Sequence, residues 1–290
     1  MRKNRRAQAV IAMAVAAGMV LAGCSGQSET ERDAQESESA QETETESQAA
    51  QDTPAADGQT EILVAAAASL KNAYEEELIP MFQEEHPEII VTGTYDSSGK
   101  LQTQIEEGLE ADVFMSAATA QMDALNEEGL IQTDTIVNLL ENKIVLIAPA
   151  SGGEDLNSFE DIVKARSIAL GDPASVPAGQ YAREAPTNLG LWDQIQDRIS
   201  FGTNVTEALN QVAASSADGG IVYATDAASM PEDVRVIGEA PEGSLAEPVI
   251  YPVAVVAASA HPEEARAFVD FLQTEEAMEV FESYGFADGR

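Results

Sequence analysis

From Glu61 onward the chain alternates short, wholly apolar runs with longer segments whose apolar positions recur every three or four residues. ILVAAAA (62–68), EIIVTGTY (88–95), ADVFMSA (111–117) and NKIVLIAPA (142–150) predict strands. LKNAYEEELIPMFQEEH (70–86), LQTQIEEG (101–108) and TAQMDALNEEG (119–129) predict amphipathic helices. A second series follows: helix SFEDIVKA (158–165), strand SIALGDP (167–173), helix AGQYAREAPTNLG (178–190), strand RISFG (198–202), helix VTEALNQVAASSA (205–217), and strands GIVYATD (220–226) and VRVIG (234–238). VIYPVAVVAA (249–258) is apolar throughout, and the tail from His261 to Phe286 has a helical period. Strands alternating with helices predict parallel α/β sheets rather than a sandwich. Two series with a late strand and terminal helices left over predict two lobes: 59–145 with 250–290 in lobe 1, and 146–249 in lobe 2. The chain is expected to cross near 143–150 and to return near 248–254.

The first 58 residues carry a different pattern. Arg2, Lys3, Arg5 and Arg6 precede an apolar stretch from Ala9 to Leu21 that is too short for a spanning helix and ends in LAGC. This reads as a signal peptide over 1–23. LAGC at Leu21 to Cys24 resembles the lipobox of bacterial lipoproteins, which implies a diacylglycerol thioether on Cys24 and an extracytoplasmic, lipid-anchored protein. Residues 25–58 contain ten acids, one Arg and no Leu, Ile, Val, Phe, Tyr, Trp or Met. Such a stretch buries too little apolar surface to offset chain entropy, so 24–58 is expected to be a disordered acidic linker.

Charge narrows the function. Fifteen Lys and Arg against 51 Asp and Glu give the 290-residue chain a net charge of −36, which disfavours nucleic acid, because duplex binding rests on cations that neutralise phosphates. One Cys excludes an intrachain disulfide, a thiolate zinc site and an iron–sulfur cluster. Of the two histidines, His86 precedes Pro87 in a loop and His261 caps the last helical region, and neither sits at a predicted donor junction. Ser69 opens a helix after a strand but lacks the flanking glycines of a G-x-S-x-G elbow, so no enzyme is expected.

Candidate chemistry lies at the carboxyl ends of strands, where open α/β sheets bind ligands beside helix N-termini. Ala68-Ser69-Leu70, Tyr95-Asp96-Ser97-Ser98-Gly99, Val176-Pro177-Ala178-Gly179, Asn204-Val205 and Gly220-Ile221-Val222-Tyr223 occupy five such junctions. All offer neutral donors at positive dipole ends, an arrangement that receives an anion without Lys or Arg. Asp96, which would repel an anion, is expected to point outward.

VAAAASLKNAYEEE, YDSSGKLQTQIEEG, EADVFMSA, GDPASVPAGQYAREA, GIVYATDA, YPVAVV and FESYGF resemble the molybdate-binding subunit of bacterial ABC transporters, over about residues 60–287. The resemblance implies a two-lobed α/β periplasmic-binding-protein fold of type II, each lobe a mixed sheet flanked by helices, with the ligand cleft between lobes. It implies molybdate or tungstate as ligand and no cofactor. The anion would be held by Ser69, Ser98, Ala178, Val205 and Tyr223, with Ser97 as an alternate donor, and molybdenum would enter only inside the oxyanion. It also implies a permease partner and a monomer that delivers its ligand. A sulfate or phosphate receptor on the same fold is the alternative.

Overall fold

The computed structural model describes residues 58–290. The signal peptide, Cys24 and the acidic linker lie outside the described residues. β1 (Thr60–Ala67) leads into a helical run over 68–85, formed by a 3-10 turn, α1 (Lys71–Ala73), a π turn at Tyr74–Leu78 and α2 (Ile79–Glu85). The wide turn directly precedes Pro80, which lacks the N–H an α-helix needs there. β2 (Ile89–Asp96), α3 (Ser98–Glu106), β3 (Val113–Met115), α4 (Thr119–Glu127) and β4 (Val137–Asn142) complete the first series.

The second series runs β5 (Ile144–Pro149), β6 (Ile168–Gly171), α5 (Pro177–Asn188), α6 (Trp192–Ile195), β7 (Ile199–Gly202), α7 (Val205–Ala213), β8 (Gly219–Tyr223), α8 (Ala224–Ser229) and β9 (Val234–Glu239). The chain then passes through 240–248 into β10 (Val249–Val255), α9 (Pro262–Phe271), α10 (Glu275–Ser283) and β11 (Ala287–Asp288). One six-stranded sheet has the order β11-β4-β10-β3-β1-β2, and a five-stranded sheet has the order β7-β6-β8-β5-β9. The fold is the expected two-lobed α/β architecture. Lys143 joins the two sheets in one direction and 240–248 in the other.

The sheets are mixed rather than parallel as the strand–helix pattern alone predicts. β1 is parallel to β2 and β3, and β6 to β7 and β8. β5 is antiparallel to β8 and β9, and β10 to β3 and β4. The crossovers explain this. β5 and β10 each enter a lobe from the junction between lobes and run away from it, against neighbours that end there.

Four local expectations also change. The expected strand 142–150 begins at Ile144 as β5, and the preceding 137–142, not predicted as a strand, pairs with β10 as β4. GIVYATD stops being a strand at Tyr223, and Asp226 lies in the first turn of α8. The segment 158–165 forms 3-10 turns at Phe159–Lys164. The terminal helix is broken at Thr274, whose hydroxyl accepts the Ala277 N–H at 3.2 Å and caps α10.

The C-terminal helices close over lobe 1 through an aromatic cluster. Phe268 meets Tyr74 edge-on at 6.0 Å and Phe82 at 4.9 Å, and Phe281 lies 6.2 Å from Tyr74. All four rings are fully buried. Phe268→Ala is therefore expected to cost about 3–5 kcal/mol, measured as a lower urea midpoint with unchanged m-value. A cost below about 1 kcal/mol would mean that the helices are not fastened through this cluster.

Candidate functional site

Parallel register places the first two junctions side by side. Ala66 lies opposite Tyr95 and Ala67 opposite Asp96, so the turns carrying Ser69 and Ser97–Ser98 leave adjacent strands at the same edge. In the second lobe Gly171 lies opposite Gly202 and Ala169 opposite Gly220, which aligns the exits toward Ala178, Val205 and Tyr223. The two edges face one another across a small, nearly closed cavity of about 10 Å³. Ser69, Ser97, Ser98, Ala178, Val205 and Tyr223 all line it, with Ala117 and Pro177 between them. Larger surface hollows lie elsewhere, one around Glu61, Asp112 and His261, and none of them gathers these six residues.

The first N–H groups of a helix have no acceptor within it. α5 begins with Pro177, which has no N–H, so Ala178 supplies the first free one. At α7 the Asn204 side chain accepts the Glu207 N–H at 2.9 Å, and the Glu207 carboxylate accepts the Thr203 N–H at 2.6 Å. Hydrogen bonds from Thr203, its backbone N–H first, hold the Glu207 carboxyl below its usual range, and the Asn204 cap at Glu207 leaves the Val205 N–H without a capping partner. Ser97 stands at the N-cap of α3, yet its hydroxyl makes no capping bond. It is 3% exposed and has no hydrogen-bond partner within the protein. A buried hydroxyl left this way costs about 1–3 kcal/mol unless something else fills its bond.

The other hydroxyls are engaged. Ser98 Oγ accepts the Ala117 N–H at 3.0 Å, which leaves the Ser98 proton free to donate. The Tyr223 phenol donates to the Ala117 carbonyl at 3.1 Å, bridging the lobes. Burial pushes the Tyr223 pKa far above the ordinary tyrosine range, so it stays a donor. Asp96 is on the cavity wall rather than turned out of it. Its carboxylate accepts Ser97 N–H at 2.7 Å and pairs with Lys100 at 3.2 Å, so its charge is matched beside the wall.

The lobes touch across the cavity at further points. Gly99 N–H donates to Ser175 carbonyl at 3.0 Å, Asn204 Nδ2 approaches Asp96 at 3.5 Å, and Gln121 Nε2 approaches Gln180 at 3.4 Å. A β-carbon on Gly99 would lie 2.4 Å from the Ser175 carbonyl oxygen, nearer than any real contact. Glycine at 99 is what lets the lobes meet.

Three residues near the site were not singled out in the sequence. Asn142 and Tyr251 lay inside strand-like runs, where the polar Asn in an apolar stretch was the available signal. Asp226 was assigned to a strand. It is buried, and its carboxylate accepts the Tyr223 N–H at 3.3 Å.

Two α/β lobes, joined by paired crossovers and closed on a cavity that gathers helix starts from both, are the architecture of a two-lobed binding protein. The chain belongs to the bacterial extracellular solute-binding protein family, which matches residues 62–287. It is 39% identical over 225 residues to a Bacillus subtilis protein provisionally named an ABC transporter substrate-binding lipoprotein, covering 78% of this chain and 85% of that one. It is 38% identical over 231 residues to the molybdate-binding protein ModA of Escherichia coli, covering 78% and 88%. The periplasmic molybdate-binding protein of Azotobacter vinelandii shares the fold, with a TM-score of 0.70 at 22% identity over 78% of this chain and 98% of that one.

Two outcomes follow from this geometry. Gly99→Ala holds the lobes apart, so small-angle scattering should show a larger radius of gyration at a nearly unchanged thermal midpoint; an unchanged radius would mean that the close approach to Ser175 does not limit closure. Burial raises the Asp226 carboxyl to about 7. Between about pH 4 and that value the folded protein keeps a proton that the unfolded chain releases. Stability therefore falls as pH rises through this window, by at most about 1.4 kcal/mol per unit, and is level above it. Asp226→Asn keeps the acceptor for Tyr223 N–H and should remove the slope in urea unfolding at a series of pH values. An unchanged slope would mean that Asp226 is ionised in the folded state.

Proposed function

We propose that this protein is the capture subunit of an ABC importer and holds molybdate, or the similarly sized tungstate, between its lobes before handing it to a membrane permease. The observation that carries the reading is the buried, unpartnered Ser97 hydroxyl in a cavity walled by helix starts from both lobes. Ser69 and Ser98 donate through their hydroxyls, Ala178 and Val205 through backbone N–H, and Tyr223 through its phenol, with its hydrogen swinging from the Ala117 carbonyl to the anion. Ser97 joins them as a sixth donor. The relatives named for molybdate support the choice of oxyanion, and it is preferred to sulfate or phosphate.

Hydrogen bonds to a charged group contribute about 1.5–3 kcal/mol each, so six supply roughly 9–18 kcal/mol. Micromolar affinity takes about 8 kcal/mol, which leaves a margin for closing the lobes. The lobes turn about Lys143 and the 240–248 segment, and because each lobe brings donors, the ligand favours the closed arrangement. The protein performs no chemistry on its cargo and needs no cofactor. It is a monomer held outside the cytoplasm by lipid on Cys24, with 24–58 as the tether between membrane and body.

Calorimetric titration of the purified protein tests this. Molybdate and tungstate should bind at micromolar Kd or tighter. At a hundredfold excess over Kd the ligand stabilises the fold by about 2.7 kcal/mol, a rise in Tm of about 5–10 °C. Sulfate at equal concentration should shift it far less. Ser69→Ala combined with Tyr223→Phe should lose about a hundredfold or more in affinity while the ligand-free Tm holds. Equal stabilisation by sulfate, or undiminished molybdate affinity in the double variant, would overturn the assignment.

A further inference from the structure

We propose that Tyr251 and Asn142 are positioning residues that orient the Ser69 hydroxyl as a donor toward the cavity, and so bias it toward oxyanions that carry no proton; this rests on the oxyanion reading above. Asn142 is the last residue of β4, just before the crossover, and is buried. Its Oδ1 accepts the Lys143 N–H at 2.8 Å, which fixes the orientation of the amide. Nδ2 therefore faces two hydroxyls, donating to Thr225 Oγ1 in the second lobe at 2.9 Å and to Tyr251 Oη in the first at 3.1 Å.

The direction of the next bond follows by elimination. Tyr251 is fully buried and has one proton, and the bond from Asn142 occupies its oxygen as an acceptor. Its remaining partner is Ser69 Oγ at 3.0 Å, so Tyr251 donates and Ser69 accepts. The Ser69 hydrogen is then left for the cavity. The Tyr251 ring has little freedom to turn away, packed edge-on against Tyr223 at 5.5 Å and Phe286 at 5.3 Å.

A free serine hydroxyl accepts or donates equally well, and can welcome the proton of a hydrogen phosphate ion. One already accepting from Tyr251 turns its own proton toward the cavity and keeps one lone pair rather than two for that proton, so it receives it less readily. The Tyr251–Asn142 pair thus discriminates by proton content where charge cannot, since both ions are dianions in mildly alkaline buffer. The same chain of bonds runs from Thr225 through Asn142 and Tyr251 to Ser69, so it is complete only when both lobes are in place.

The test compares molybdate and hydrogen phosphate affinities by calorimetry or competition in that buffer, for wild type, Tyr251→Phe, Asn142→Ala, Ser69→Ala and Tyr251→Phe with Ser69→Ala. Tyr251→Phe should weaken molybdate about tenfold and phosphate much less, narrowing the ratio, with little change in ligand-free Tm. Asn142→Ala should narrow it in the same sense, since Tyr251 can then accept from Ser69, and it carries the test if Tyr251→Phe does not fold. In the Ser69→Ala background Tyr251→Phe should have no further effect on the ratio. Equal weakening of both anions, or a further effect without Ser69, would reduce Tyr251 to packing and overturn the inference. Absence of molybdate binding by the wild type would instead overturn the oxyanion reading on which it rests.

Discussion

An anion enclosed without a cation must be balanced by hydrogen-bond donors, and the donors must be held before it arrives, because a buried N–H or O–H without a partner is costly to maintain. Much of the fold around the cavity meets that requirement. Parallel strands deliver helix starts to one edge of each lobe, and the axial dipoles add positive potential there. Pro177 gives up an N–H at the one position where it is not missed. Asn204 caps α7 at Glu207 and leaves Val205 open. Ser97 declines the capping bond that its place in the sequence offers. Pro177 and Asn204 start their helices in favoured ways that leave the Ala178 and Val205 N–H groups open, whereas Ser97 forgoes a capping bond and leaves its hydroxyl at the cavity.

Ala117 shows how the same economy works between lobes. Its N–H donates to Ser98 while its carbonyl accepts from Tyr223, so one residue of the first lobe is bonded to hydroxyls from both sides of the cleft. On the proposed reading, occupation of the cavity would release the Tyr223 hydrogen from that carbonyl, and the cost of breaking this contact would be offset by the charged bond that replaces it.

The strand–helix junctions were legible in the sequence for a local reason. Ser, Gly, Pro and Asn punctuate the ends of apolar runs, and those ends are where open α/β sheets present donors. Ser69, Ser97, Ser98, Ala178, Val205 and Tyr223 were all visible as junction residues, and the structure lines one cavity with them. What was not legible depends on long-range contact. Asn142 reaches residues 83 and 109 positions away, and Tyr251 reaches Ser69 across 182. Periodicity carries no information about such pairs. The mixed sheets escaped the pattern for a related reason, since strand direction is set by where the chain crosses between lobes, and hydropathy does not record it. Asp96 was expected to face outward because a lone carboxylate would oppose the ligand; Lys100, four residues on, removes that objection by pairing with it.

A protein of net charge −36 that receives a dianion poses an electrostatic problem that the site answers by short range. Exposed charges are screened beyond about 8–10 Å in physiological salt, so most of the acidic surface acts weakly on an ion already inside the cleft. Within that distance the Asp96–Lys100 pair is neutral as a unit, and the remaining wall is made of hydroxyls, amides and methyl groups. The ionised side chains are thus kept out of direct opposition, and recognition falls to the direction of protons. On the proposed reading, the orientation of a single serine hydroxyl, set from a buried tyrosine and an asparagine at the crossover, would carry selectivity that a lysine or arginine in the same cavity could not supply: a cation attracts every dianion alike, whereas an oriented hydroxyl favours the one without a proton.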